Sequence, residues 1–529
     1  MKNMRKIYII ITGCLLLFAG VSCKKYLDKA YQNPNLPTTA TPEDALLGVI
    51  GSIPRGIQFD ARNIGPYVQY YARTGGADPW ERQGYVFAAG SANNGADIWR
   101  MHYFTFGQNL VDIISNGQTS NKLDYVGAAY AMFAYGWLTL ADVYNTTIVK
   151  EAFNREQIVF NFDEQNVAYE KVIQCADSAV YWLDRSAGNP STLAIGDQYF
   201  YGGNITKWKK FAYAMKAKAY HRYYNKSTYQ ADSVIKYCDL AFSSTADDAL
   251  VKFNAAAPDA SGLNFFGPTR NNLGTFRSGA YVMNLMNGNI YGAAVVDPRV
   301  KYMYKPCGDG VYRGLVQNAG EPTSVPVNQR IPNYWGFPNV YAAPTGGIDT
   351  GARTYYKNAA PLPISTYSEV QFMKAEAALK KGDFNMAYTA YKNGIQGNMD
   401  MLTTYYTGYT PMSAADKTAY INNPAVTPAV ATSLTLKMVM QQKYVALNGW
   451  GFVETWVDMR KHNYDVTNIY TGWKVPTTAT DLFPDNGGKL AYRIRPRYDS
   501  EYLWNRQKLE AIGGTLPDYH TKKTWFSEP

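Results

Sequence analysis

"TYSEVQFMKAEAALKKGDFNMAYTAYKNGIQGNMD", residues 366–400, decides the fold. Thr366 and Glu369 stand three apart at the head of an apolar-periodic run, the spacing of a capping box in which each side chain satisfies an orphan backbone N–H of the first helical turn. Gly382 ends that helix, and Asp383 caps a second one directly behind it. Small residues Ala375, Ala378 and Ala387, with Tyr391 one turn past Ala387, let the two helices approach closely. Two antiparallel helices with the ALKKGDF…A…Y spacing resemble a tetratricopeptide unit of about 34 residues.

The same pattern recurs outward in both directions. Residues 124–145 place Val126, Tyr130, Phe133, Trp137 and Leu140 on one helical face, and 166–186 answer with Val167, Val172, Ala176, Ala179 and Leu183. Residues 206–224 set Trp208, Phe211, Met215 and Ala219 on one side, with Lys209, Lys210, Lys216 and Lys218 mostly elsewhere, and 230–242 supply a partner. Residues 435–464 make a fourth pair, in which Arg460 and Lys461 read as partners of the helix C-terminal dipole. Each amphipathic face must be buried against a neighbour. The expected fold is therefore mainly α: about four tetratricopeptide-like pairs, with Trp137, Trp208, Trp450 and Trp456 in the core.

Residues 243–364 break the pattern. They hold 14 Gly and 11 Pro, about a fifth of the segment against an average near 12%, which excludes long helices. They also carry many rings, from Phe265 and Phe266 to Tyr341, so the segment reads as a compact, loop-rich insertion. Tyrosine is the commonest aromatic, 45 against 22 Phe and 11 Trp. An apolar ring with a polar tip suits half-exposed surfaces, which favours a large binding face.

At the N-terminus, Lys2, Arg5 and Lys6 precede an apolar run from Ile7 to Val21, the layout of a signal peptide over 1–22. Fifteen apolar residues fall short of the roughly 20 needed to span a bilayer. Ser22 precedes Cys23, and the chain turns polar at once, as at a bacterial lipoprotein site where the thiol receives a diacylglycerol. Cys14 is the rival, in a better local tetrapeptide, but cleavage there would leave LLLFAGV on the mature chain. Residues 23–40 read as a lipidated tether, and 41–529 as a single domain. Thr41 is the expected N-cap of its first helix, with Pro42 at the first helical position. Cys175, Cys238 and Cys307 are too few for a disulfide scaffold, and Cys175 and Cys238 read as small buried hydrophobes on helices.

A formal charge of +10, partly in the leader and without a Lys/Arg run, excludes a nucleic-acid arm. The H-E-x-x-H, G-x-S-x-G and Walker signatures are absent. His102, His221, His462 and His520 are never paired at metal-ligand spacing and read as packing or surface residues. Asp481, Asp485 and Asn486 hint at a calcium loop, but Phe483 occupies a ligand position and a plain turn is the better reading. No enzyme and no resident cofactor are expected beyond the N-terminal lipid.

Five stretches, "CKKYLDKAYQNPNLPTTATPEDALL", "GNITKWKKFAYAMKAKAYHRY", "EVQFMKAEAALKKGDF", "GWGFVETWVDMRKHNY" and "YRIRPRYDSEYLWN", resemble in order and spacing the SusD/RagB-like outer-membrane lipoproteins of Bacteroidetes, in the branch called SusD-like 2. The resemblance covers almost the whole mature chain. It implies a right-handed superhelix of four tetratricopeptide-like pairs, lipid-anchored at the outer membrane and facing the exterior. Such a protein is a lid on a SusC-like TonB-dependent transporter and passes it an oligosaccharide, or sometimes a peptide. The competing reading is a helical-repeat envelope scaffold without a small ligand.

Sugar capture asks for flat rings flanked by hydroxyl partners. The loop at 75–99 offers Asp78, Trp80, Arg82, Tyr85, Asn93 and Asn94. The insertion offers Tyr334, Trp335 and Tyr341 with Asn333 and Asn339. Trp80 and Trp335 have an equal alternative, that of pinning their loops onto the scaffold.

Overall fold

The computed structural model describes residues 40–529 except 77–81, 85–95, 257–258, 293–294, 338–346, 348, 408–411 and 478. The leader and the tether, with Cys14 and Cys23, therefore lie outside the described residues. Helix α1 (Pro42–Tyr67) begins where expected: the Thr41 side chain accepts from Asp44 N, and Pro42 opens the helix. It packs on α2 (Gly107–Thr119). The repeat pairs follow: α3 (Leu123–Tyr144) with α4 (Gln165–Arg185), and α5 (Ile205–His221) with α6 (Ala231–Leu240). Then come α7 (Tyr367–Lys381) with α8 (Phe384–Tyr405), and α9 (Leu436–Leu447) with α10 (Phe452–Lys461). The fold is mainly α with tetratricopeptide-like pairs.

Local chemistry sets the boundaries. Thr366 and Glu369 form the capping box, Gly382 takes φ 85° at the end of α7, and the Asp383 side chain accepts from Met386 N to start α8. A left-handed residue there lets the chain reverse, and glycine adopts it without strain. Thr366→Ala should lower stability by about 1 kcal/mol, the usual worth of an N-cap. Urea unfolding measures this, and a change below a few tenths would mean that Glu369 holds the turn alone.

The insertion is closed by its own ends. Strand β2 (Ala249–Val251), just after α6, pairs antiparallel with β4 (Leu362–Ser365), just before α7. Strand β1 (Tyr71–Arg73) pairs with β3 (Phe276–Ser278), Tyr71 opposite Ser278. Its longest described helix is Ala280–Met286. Arg299, fully buried, forks onto Asp297 and reaches Asn398 on α8 (2.9 Å) and Gln442 on α9 (2.7 Å), tying the insertion to the scaffold.

Two sequence expectations change. Many tyrosines are core residues, and several of their hydroxyls find a backbone carbonyl inside: Tyr70 on Tyr444 O (2.5 Å), Tyr444 on Val68 O (2.6 Å), Tyr391 on Val426 O (2.6 Å). A ring that brings its own donor can be buried wherever a loop leaves an acceptor. Likewise Lys216, Lys218, Arg460 and Lys461 are buried. Lys218 pairs with Glu369 at 2.6 Å, Lys461 with Glu376 at 2.6 Å and Asp458 at 3.0 Å, and Lys443 with Asp458 at 2.8 Å. Arg222 bridges Asp142 (2.8 Å) and Glu454 (2.6 Å). Arg460 lies 3.8 Å from the Trp456 ring centre and donates to the Trp456, Tyr492 and Asp142 carbonyls. One ionic network thus joins α3, α5, α7, α9 and α10, a member of every pair. The four core tryptophans are buried as expected, and Cys175, Cys238 and Cys307 are free and buried.

Candidate functional site

Of the residues read as ligand contacts, Asp78, Trp80, Tyr85, Asn93, Asn94, Asn339 and Tyr341 lie outside the described residues. Arg82 is half-buried at the foot of its loop: Nε donates to Thr480 O at 3.2 Å, with the guanidinium 5.5 Å from the Phe483 ring centre. Behind it Gly84, at φ 103°, exchanges hydrogen bonds with the Tyr67 hydroxyl at 3.1 Å, and a Cβ there would meet Asn486 Oδ1 at 1.9 Å. The loop foot is a fixed support.

Tyr334 and Trp335 are buried anchors, the alternative already open for Trp335 and a correction to the ligand contact expected of Tyr334. Trp335 has no exposed surface and donates Nε1–H to Phe266 O at 2.9 Å. Tyr334 donates to Tyr70 O at 3.1 Å and packs on Tyr356 with ring centres 4.3 Å apart. Asn333 Oδ1 accepts from Trp335 N and Phe337 N, shaping the turn. A segment with little secondary structure needs large apolar anchors, and these rings supply them. At 481–489, Asp481 pairs with Lys474 (3.1 Å) and accepts from Asn318 Nδ2 (3.0 Å), while Asn486 faces His520 (2.7 Å). The segment is a turn at Pro484–Asn486 whose side chains serve different partners.

A cavity of about 610 Å³ lies immediately downstream of the 75–99 loop in the chain. This is within the range of small-molecule sites, about 300–1,000 Å³. Its floor is Trp99, Tyr103, Ile148, Phe153 and Phe160, and its rim carries Arg100, Phe104, Arg155 and Arg497. Two opposite walls are π-helical turns, Met101–Phe106 and Tyr498–Tyr502, and these are the two π segments among the described residues. Such turns are rare and concentrate at functional sites, because one extra residue per turn re-aims side chains at a cost in hydrogen bonding. On the floor, Phe153 takes φ 64°, a left-handed conformation unfavourable for a bulky residue. Its ring fills the space over Gly107, where a Cβ would lie 1.8 Å from it.

Hydrogen bonds hold the walls apart. The Tyr103 hydroxyl donates to Ile148 O (2.9 Å) and accepts from Ile148 N (2.8 Å). Asn505 accepts from Phe160 N (3.1 Å) and donates to Phe160 O (3.0 Å) and Glu501 (2.9 Å). Burial pushes the Glu501 carboxyl above its ordinary value, against hydrogen bonds from Asn505, Ser500 and Trp99 and the charge of Arg497. Beneath the first π turn, burial drives His102 down to about 3, so it packs as a neutral ring 4.1 Å from Trp137. On the rim Phe104 is 71% exposed, and Trp504, three residues past the lining residue Glu501, is 77% exposed. Large rings left in water beside a cavity point to a binding surface.

The sequence reading missed this cavity, although a signal exists. Trp99, Phe106, Leu110 and Ile113 share the buried face, and Phe104 falls off it, an aromatic on the water side.

Four tetratricopeptide-like pairs carrying a ring-lined cavity on irregular segments define a helical-repeat binding protein. Residues 44–474 match the family model SusD-like 2, described as "Starch-binding associating with outer membrane", and the chain belongs to this family. A chitin-binding protein superposes with a TM-score of 0.67 at 21% identity, covering 92% of this chain and 100% of that one. A SusD homologue from Bacteroides fragilis gives 0.68 at 17%, covering 92% and 100%. A chitin-binding SusD homologue from Flavobacterium johnsoniae gives 0.62 at 18%, covering 90% and 98%. No curated protein matches the sequence. The family consists of binding proteins associated with the outer membrane, and no helix among the described residues is long and apolar enough to cross a membrane.

Proposed function

We propose that this protein is a cell-surface lipoprotein that captures an oligosaccharide without hydrolysing it and hands it to a SusC-like TonB-dependent transporter. Cys23 carries the lipid, residues 23–40 are the tether of a single domain over 41–529, and capture needs no resident cofactor. The observation that carries the reading is the cavity between the two π turns, with rings on its floor and an exposed ring on its rim. Apolar rings stack on the faces of pyranoses, while Gln108, Asn154 and the arginines offer partners to hydroxyls. Family membership supports the cargo class and the site of action.

The test is retention of the full chain on polysaccharide gels, with starch and chitin first. Starch is the family's description, and chitin is named for two structural neighbours. Phe104→Ala should lose most retention while unfolding at the same temperature, because its ring is 71% exposed and such substitutions change stability by about 0.5 kcal/mol or less. Unchanged retention in Phe104→Ala would remove the cavity from the binding face. A wild-type chain retained by no glycan but by peptides would give the lid a different cargo. Intact mass of the mature N-terminus separates lipid on Cys23 from lipid on Cys14.

A further inference from the structure

The charges around the cavity are lopsided. Three arginines, Arg100, Arg155 and Arg497, reach it, and the one carboxyl among its lining residues is Glu501, buried and hydrogen-bonded in the wall. Arg155 is paired with Asp112 at 2.9 Å and Arg497 with Asp499 at 2.8 Å, and in each pair the acid is about half exposed. Surface pairs of this kind are worth little and rearrange at small cost. Asp97, one turn before Arg100, has Arg55 as its nearest cation at 3.7 Å and shares its charge among Arg55, Arg100, Arg62 and Arg497 without contacting Arg100 directly. Arg100 alone has no acid within ion-pair distance among the described residues. Its guanidinium stands 5.3 Å from the centre of the exposed Phe104 ring, a contact that orients the cation without neutralising it.

We infer that the sugar this cavity selects is an acidic pyranose, a uronate, stacked on Phe104 with its carboxylate taken by Arg100. This rests on the glycan-capture reading above and adds the substrate class. The Arg100 guanidinium lies over the Phe104 ring, 5.3 Å from its centre, within the span of one pyranose, so a sugar set against the exposed part of that ring brings its exocyclic carboxylate within reach of the fork. A planar carboxylate matches a guanidinium with two parallel N–H···O bonds, the strong charge-assisted form. Arg155 and Arg497 supply a positive surround for further acidic residues of the same oligosaccharide, and the apolar floor lowers the local dielectric and strengthens the pairing. A neutral sugar would leave Arg100 desolvated without a partner, which penalises it. A short acidic peptide offers the carboxylate but no flat apolar face for Phe104.

The experiment is titration calorimetry of the full chain with a galacturonic acid trimer and its methyl ester, which has the same rings and length but no charge. A chito-oligosaccharide and a glutamate trimer complete the panel. The acid trimer should bind at least tenfold more tightly than the ester, and the advantage should shrink as salt is raised. Arg100→Gln should bring the acid down to the affinity of the ester, Arg100→Lys should restore part of the gap, and Phe104→Ala should weaken the acid trimer severalfold. Thermal unfolding of each variant checks the fold. If ester and chito-oligosaccharide bind as well as the acid, the inference fails while glycan capture stands. If no sugar binds, both fail. A glutamate trimer that binds as tightly as the uronate and ignores Phe104→Ala would also overturn it, leaving a bare carboxylate site.

Discussion

Glu376→Gln should cost about 3–5 kcal/mol of stability, the usual penalty for breaking a buried ion pair from one side. Glu376 on α7 has no exposed side-chain surface and meets Lys461 at 2.6 Å, His221 at 2.9 Å and His462 at 3.0 Å. Gln keeps the shape but not the charge, so Lys461 and Lys443 lose a counter-ion in a site that water does not reach. Burial alone would raise the Glu376 carboxyl, and the charges of Lys461 and His221 overcome it, holding it well below its ordinary 4.5. Glu454 behaves alike: burial raises it, and Arg222, Lys218 and Lys443 bring it well down. A carboxyl whose folded value is depressed contributes stability that is fully present above 4.5 and lost as pH falls through the folded value. Burial also depresses His221, to about 4. The unfolded chain therefore takes up that proton first, and stability erodes as pH drops from 6.5. Wild type should lose stability progressively from about pH 6.5 and more steeply below 4.5, with Glu376→Gln showing a shallower acid limb. Urea midpoints across pH measure both, and a loss under 1 kcal/mol at neutral pH would show the network to be dispensable.

Trp335→Ala should be comparably damaging, about 3–5 kcal/mol, because an indole with no exposed surface is replaced by a cavity. The loss also leaves Phe266 O without its donor. Retention on glycan gels should then fall only in step with the folded fraction, unlike the Phe104→Ala pattern. A Trp335→Ala chain that unfolds like wild type yet retains no glycan would return Trp335 to the ligand face.

The two variants mark where sequence reading stops. The helix pairs were legible to within a few residues, because capping boxes, left-handed glycines and 3.6-residue periodicity act over one or two turns. Thr366, Gly382 and Asp383 do their work among immediate neighbours. The same reading put Trp208 and Trp456 in the core and left Trp335 open between ligand contact and loop anchor, because the insertion has no periodicity to say which side of a ring meets water. It also sent Lys218 and Lys461 toward solvent or a helix end. Their partners, Glu369 and Glu376, lie on one helix, 151 residues after Lys218 and 85 before Lys461, distances no local pattern spans.

By itself, then, the sequence determined a mainly α scaffold of tetratricopeptide-like pairs interrupted by a ring-rich insertion, and a resemblance that the family match bears out. Only the tertiary structure decided which tyrosines are core and where the open cavity lies. That cavity is built from 99–108, 148–160 and 497–501, three segments distant in the chain. A π turn is a difference of one hydrogen-bond register, and a cavity is what packing leaves unfilled. Both follow from long-range contacts, which residue types alone leave undetermined.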